Sequence, residues 1–331
     1  VTVRKDHPVL DDGSVDIDGW MGHFSHLIDD SARVPLRMAC ELARQAELQC
    51  ARPSYWGAQA STFRAGLEMV EILSGFRADQ DSLVAAAVYR AVREDQLPIS
   101  RVTDMFGRKV ALIVEGVIKM GEVSKNLTAD TAAEVLGSSE NQLESLRKML
   151  VSIIDDVRVV LIKLAERACA IKEAKHQSEE RRVAVALEVQ SVYAPLAHRL
   201  GIGHIKWELE DLSFRYLYPS DYKRIATWLD EKRLDRQQFI DDVISLLDER
   251  LKAINIHADL MGRAKHIYSI WRKMKRKNIG FDEVYDVRAV RILVDEPMEC
   301  YGVLGVVHNL WRPIPQEFDD YISNPKSNGY Q

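Results

Sequence analysis

A chain of 331 residues is long for one hydrophobic core, and at about 150 residues per domain it calls for two folded units. With 47% hydrophobic and 29% charged residues, and only 17 Gly and 10 Pro, the composition excludes disordered, collagen-like and low-complexity classes. Forty-five Lys and Arg against 50 Asp and Glu leave a formal charge of -5, so polyanion binding would have to come from a local basic patch.

The four cysteines, Cys40, Cys50, Cys169 and Cys300, form no C-x-x-C pair and have no partner at zinc-finger spacing. They read as reduced, mostly buried thiols of a cytoplasmic protein. The amino end, Val1 to Pro8, has no apolar h-region, and no uncharged apolar run approaches the roughly 18 residues of a membrane helix. The expectation is a protein neither exported nor membrane-spanning.

From about Val34 to Leu200 the sequence predicts successive amphipathic helices packed on one another, with Gly107, Gly116 and Gly137 near the connections. Leu143, Leu146, Leu150, Ile153, Val157 and Val160 recur at helical steps after a capping box of Ser139 and Gln142. No His-Asp dipeptide occurs, and no histidine lies between His26 and His176. A metal-dependent phosphohydrolase site in this stretch would lack imidazole ligands. Glu94 and Asp95 read as a solvated helix end. Pro195 and the pair Gly201 and Gly203 interrupt the periodicity and mark a boundary. Two further helical stretches, His204 to Leu217 and Ser220 to about Ala253, follow, with Ser220 as the expected N-cap after Pro219. The predicted division is therefore a helical domain over 1–195, a helical connector over 196–253 and a mixed domain over 254–331, an α+β chain.

After Ala253 the period changes. Ile254, Ile256, Ala258 and Leu260 alternate with polar residues as in a half-buried strand that Gly262 ends. A helix over Lys265 to Lys277 then buries Ile267, Ile270, Trp271 and Met274 and gathers Lys265, Ser269, Arg272, Lys273 and Arg276 on another stripe. Between Met261 and Gly280 there is no Asp or Glu, against seven Lys or Arg (Arg263, Lys265, Arg272, Lys273, Lys275, Arg276 and Lys277). A strand-to-helix junction of this kind suits a polyphosphate. A nucleic-acid backbone, or a merely solubilising helix face, fits the same pattern.

Val284 to Val294 reads as a strand with Asp286 and Arg288 on one face. Asp286 is either a magnesium ligand, since Mg²⁺ takes one or two carboxylates plus phosphate oxygens, or the partner of Arg288 or Arg291. A helix from about Pro297 to Trp311 carries Tyr301, Leu304, His308 and Trp311 on one side and stops at Pro313 and Pro315. The last stretch, Glu317 to Gln331, has the composition of a binding loop, in which Tyr330 would stack on a base and Asn328 hydrogen-bond its edge, or of a plain surface loop.

Three segments, Gly262-Arg263-Ala264-Lys265-His266-Ile267-Tyr268-Ser269-Ile270-Trp271, Tyr285-Asp286-Val287-Arg288-Ala289-Val290-Arg291 and Asn324-Pro325-Lys326-Ser327-Asn328-Gly329-Tyr330-Gln331, resemble the synthetase domain of RelA/SpoT-type alarmone enzymes. The likeness extends upstream through Arg158 to Arg167 and Tyr193 to Gly201. It implies Mg²⁺-dependent transfer of the β,γ-pyrophosphate of ATP to the 3′-hydroxyl of GDP or GTP, releasing AMP and giving ppGpp or pppGpp. It places Arg263 against the adenine, Lys265, Ser269 and Lys273 around the ATP phosphates, Asp286 as the catalytic residue that ligates magnesium, and Lys326, Asn328 and Tyr330 around the guanosine nucleotide.

Two departures from the family pattern bear on a second activity. Hydrolase-competent relatives carry His-Asp-x-x-Glu-Asp where this chain has Tyr89 to Glu94, and an Asp at Glu166. They also tend to have Arg-x-Lys-Asp where this chain has Glu317 to Asp320. The resemblance therefore implies an HD-like pseudo-hydrolase domain with degenerate positions Tyr89, Arg90 and Glu166. The family continues past the equivalent of Gln331 into further strands, a second catalytic glutamate and modules that read the ribosome and uncharged tRNA. The chain is accordingly expected to be a fragment, weak or inactive in synthesis. The alternatives are an RNA-binding module built on the basic helix 263–277, and a bifunctional synthetase and hydrolase.

Overall fold

The computed structural model describes residues 7–50, 60–132, 156–231, 233–284, 287–314, 318–326, 329 and 331. It forms two compact units, Val1–Pro219 and Ser220–Gln331.

The first unit is built of helices: α1 (Ile17–Gly22), α2 (Asp30–Gln49), α3 (Thr62–Ser74), α4 (Gln80–Arg93), α5 (Ile99–Phe106), α6 (Arg108–Ala132), α7 (Val157–Glu173), α8 (Glu179–Glu188), α9 (Ala194–Arg199) and α10 (Gly203–Leu217). Side-chain oxygens satisfy first-turn amides at several starts. Ser61 accepts from the Arg64 N–H at 3.0 Å, Asp79 from Ser82 at 3.0 Å and Asp156 from Arg158 at 2.9 Å. Helices α4 and α7 are core helices rather than amphipathic ones. Every residue from Ser82 to Val92 on α4 is buried, as is every residue from Ile162 to Ile171 on α7. The charged side chains within those runs are therefore carried into the interior.

Several expectations change here. Pro195 does not break the chain. A π turn over Val189–Tyr193 joins α8 to α9, and Pro195 sits in the first turn of α9, where its missing N–H costs no helical bond. Gly201, with φ +74°, turns the chain into α10 instead. Residues 196–253 divide between the units, because Leu196, Ala197, Ile202, Ile205 and Leu209 belong to the first unit's core. Glu94 is no solvated end: its side chain is 8% exposed and lies 3.7 Å from Arg90. Of the cysteines, Cys40 and Cys169 are buried, Cys50 is intermediate and Cys300 is exposed on a helix that buries only Val303. The Ser139 and Gln142 capping box lies outside the described residues.

The second unit contains α11 (Pro219–Glu231), α12 (Arg233–Lys252), β1 (Asp259–Ala264), α13 (Ile267–Lys277), β2 (Arg288–Leu293) and α14 (Pro297–Leu310). Helix α11 starts at Pro219, so Ser220 lies inside it and is not its cap. The two strands pair antiparallel, with Met261 opposite Arg291, Gly262 opposite Val290 and Arg263 opposite Ala289. The chain as a whole is α+β.

Strand β1 begins later than the alternation suggests, because the end of α12 extends into that stretch. Asn255 takes the left-handed conformation (φ +60°), and the Ile254 and Ile256 amides both donate to the Leu251 carbonyl. Gly262 does not end the strand but sits within it. A Cβ there would lie 2.5 Å from Ile240 Cγ2 of α12, so glycine is what lets helix and strand pack this closely. Among the described residues, no helix is long and apolar enough to cross a membrane.

Candidate functional site

Helix α13 is set by its apolar stripe. Ile270 is completely buried in a cluster with Ile225 and Leu229 of α11 and with Val284, and Ile267, Trp271 and Met274 pack against it. This is the stripe the spacing predicts. One polar clamp orients the helix on α11: Trp271 Nε1 donates to Asp221 Oδ2 at 2.9 Å, and Asp221 Oδ1 accepts from Arg224 at 2.6 Å. Arg224 in turn lies over the Trp228 ring at 5.4 Å, and Trp228 packs on Phe281 at 4.9 Å. Asn278, left-handed at φ +49°, ends the helix.

The orientation leaves the cationic stripe outward. Arg272, Lys275, Arg276 and Lys277 are exposed, and Lys265, Ser269 and Lys273 are half-buried. Lys265 precedes the N-cap His266, whose side chain caps nothing, and Ser269 lies in the first turn, where amide groups have no intrahelical acceptor. Positive side chains and the positive end of the helix dipole thus meet where β1 passes into α13. Arg263 is placed by its main chain on β1, opposite Ala289. Asp286 lies outside the described residues; Val287, the next residue, packs on the α11–α13 core, and Arg288 pairs with Ala264.

Of the residues expected to hold the guanosine nucleotide, Asn328 and Tyr330 lie outside the described residues. Lys326 is exposed, with its ammonium 4.2 Å above the Tyr321 ring. Among the described residues no three His, Cys, Asp or Glu side chains converge as metal ligands.

The positions expected to be degenerate hydrolase residues meet in the first unit. Tyr89 and Arg90 on α4 and Glu166 on α7 are all buried. Glu166 is the centre of a cationic shell. Its carboxylate accepts from Arg90 at 3.2 Å, from Arg93 at 2.8 Å and from Arg167 Nη2 and Nε at 2.6 Å each, and lies 3.0 Å from Lys163 Nζ. Arg167 also pairs with Glu188 at 2.8 Å, and Glu188 accepts from the Ser124 hydroxyl at 2.8 Å. Burial alone would raise the Glu166 pKa, but the charges of Arg167, Lys163 and Arg93 hold it well below the usual carboxylate range. Burial, only partly offset by Glu166, lowers Lys163 to about 7, and burial pushes the Tyr89 phenol up to about 12. A divalent cation placed here would face four cationic side chains and no imidazole, so these residues do not fit a catalytic metal.

Sequence reasoning named Arg90 and Glu166 but missed Arg93, Lys163, Arg167 and Glu188, and it missed Asp221 altogether. The signal for Arg93, Lys163 and Arg167 was charge embedded in helices otherwise largely apolar, whereas Glu188 ends the polar helix α8 and carried no such signal.

Residues 39–203 match the family described as HD domain, and residues 262–331 match the one described as a region found in RelA / SpoT proteins. The chain thus joins a segment that resembles an HD domain to one that resembles RelA / SpoT proteins. It is 47% identical over 267 residues to a GTP pyrophosphokinase of Photobacterium angustum, covering 80% of this chain and 35% of that protein. It is 41% identical over 332 residues to a GTP pyrophosphokinase of Escherichia coli, covering 100% of this chain and 43% of the relative. A guanosine-3′,5′-bis(diphosphate) 3′-pyrophosphohydrolase of Aquifex aeolicus is 38% identical over 254 residues, covering 76% of this chain and 35% of that protein. The chain therefore spans less than half the length of these relatives.

Proposed function

We propose that the second unit is the nucleotide-binding part of a (p)ppGpp synthetase, which transfers the β,γ-pyrophosphate of ATP to the 3′-hydroxyl of GDP or GTP and releases AMP. The observation that carries this reading is the acid-free, cation-rich passage from β1 into α13, within the segment that matches RelA / SpoT proteins. In-line phosphoryl transfer demands positioning and positive charge more than covalent chemistry. Lys265, Lys273 and the Ser269 hydroxyl would hold the polyphosphate, and Arg263 would lie against the adenine. Lys326, Asn328 and Tyr330 would hold the guanosine nucleotide with its 3′-hydroxyl toward the β-phosphorus. Magnesium, held by Asp286 and phosphate oxygens, would neutralise charge on the transferring group. In the longer protein, ribosome and uncharged tRNA are the proposed activating partners, in the cytoplasm.

The first unit is, on this reading, an inactive hydrolase domain that serves as scaffold or regulator. Supporting this is Glu166, enclosed by Arg90, Arg93, Lys163 and Arg167 where a metal would need anionic or neutral ligands. The chain alone is proposed to be weak in synthesis.

The test is to incubate a chain extended to the full length of the relatives with ATP, GDP and Mg²⁺ and to look for AMP and ppGpp. Asp286→Asn and Arg263→Ala should each abolish product. Formation of neither product under varied activation overturns the reading, and Mn²⁺-dependent release of pyrophosphate from ppGpp by this chain overturns the inactive-hydrolase part. Binding that is indifferent to ATP and falls steeply with salt would point to RNA instead.

A further inference from the structure

The acidic run Glu317 to Asp320 stood out in the sequence without a physical role, and its last member has one in the fold. Asp320 uses every oxygen it has. Oδ1 accepts the amides of Ile322 and Ser323 at 3.0 Å each, the main-chain carbonyl accepts the Asn324 amide at 3.1 Å, and Oδ2 accepts the Tyr301 hydroxyl of α14 at 3.3 Å. Phe318, two residues earlier, packs edge-on against His308 of the same helix, ring centres 5.9 Å apart. The side of α14 that carries Tyr301 and His308 therefore seats the start of this segment, and Asp320 folds the chain from Tyr321 to Asn324 into a turn. That turn sets the Tyr321 ring beneath the Lys326 ammonium, and the Lys326 carbonyl then accepts the Gly329 amide at 2.8 Å.

We infer that Asp320 is a positioning residue for the guanosine-nucleotide loop, acting through the 320–324 turn and the Tyr321 platform on Lys326, and that it is not a metal ligand. A carboxylate with three of its about four lone-pair sites taken by two amides and a hydroxyl has little left to offer a cation, whereas its neighbour Asp319 is exposed and has no such role. The hydrogen bonds from Ser323 and Ile322 also hold the Asp320 carboxyl below its usual pKa, as expected for an anion that caps backbone N–H groups. The proposal rests on the reading of Lys326 as a GDP or GTP contact.

The two roles separate by substitution, because asparagine keeps the Oδ1 acceptor of an Asx turn and loses the charge a metal needs. Asp320→Asn, Asp320→Ala, Tyr301→Phe and the control Asp319→Asn are compared in this chain by two measurements. The first is amide hydrogen exchange at Ile322 and Ser323. The second is GDP affinity by calorimetry, with and without Mg²⁺. Asp320→Ala should lose protection at both amides and weaken GDP binding about fivefold, whether or not Mg²⁺ is present. Asp320→Asn and Asp319→Asn should stay within about twofold of wild type, with Tyr301→Phe between them and Asp320→Ala.

Equal losses in Asp320→Asn and Asp320→Ala that appear only with Mg²⁺ would assign the residue to a metal and overturn the proposal. Lost protection in Asp320→Ala with unchanged GDP affinity would also overturn it, by showing the turn to be purely structural. Failure of the wild-type chain to bind GDP would remove the nucleotide reading beneath it, and the exchange data would still report whether the turn forms as described.

Discussion

The two units handle positive charge in opposite ways. In the first, Arg90, Arg93, Lys163 and Arg167 are drawn inward onto Glu166 and Glu188. In the second, an acid-free helix keeps Arg272, Lys275, Arg276 and Lys277 exposed while its other face is apolar. A buried ionic cluster is satisfied internally and can break only at high cost. An exposed cationic stripe contributes little to folding and is available to an anion. Charge content alone does not separate scaffold from site, whereas the surroundings of the charges do.

That contrast is most easily broken at Glu166. Replacing it with alanine removes the shared anionic partner of Arg90, Arg93 and Arg167 and should cost about 3–5 kcal/mol in denaturant unfolding. A loss under about 1 kcal/mol would mean the shell is solvated and the two regions are alike.

Lys273→Ala is the counterpart in the second unit. It should leave stability within about 0.5 kcal/mol while weakening ATP binding about tenfold in calorimetry. A stability loss without a binding loss would make the stripe structural.

Next in size is the clamp that orients it. Trp271→Phe removes the hydrogen bond to Asp221 and should cost about 1 kcal/mol in urea unfolding. An unchanged midpoint would show that the apolar stripe alone sets the helix.

The finest test concerns pH. Folding lowers Lys163 from 10.5 to about 7, so between those values the unfolded chain binds the extra proton. The contribution of this group to stability rises as pH climbs through that window and is flat below it. The melting temperature of wild type relative to Lys163→Met should therefore climb by about 2–4 °C between about pH 7 and 8. A constant difference would show that the amine does not titrate there.

Much of the second unit was legible because α13 obeys a simple rule. Ile267, Ile270, Trp271 and Met274 recur at helical spacing, and the core receives them all. The first unit was harder to read. The run Leu83 to Val92 lacks a polar face, so periodicity gives no direction, and nothing local reveals that Arg90 and Glu166, 76 residues apart, share a hydrogen bond. Pro195 misled because its usual effect on a helix is cancelled by a π turn just before it. Asp221 was invisible because its partner Trp271 lies 50 residues away and the residue looks like any acid near a helix start. In the nucleotide motifs, residue type and order signalled chemistry, but no spacing rule announces a turn locked by Asp320.

The close approach of β1 to α12 at Gly262 has one further consequence. With only a hydrogen where other residues carry a side chain, the strand bearing Arg263 rests almost directly against Ile240. No adjustable filler separates them, so any residue larger than glycine at position 262 would push strand and helix apart.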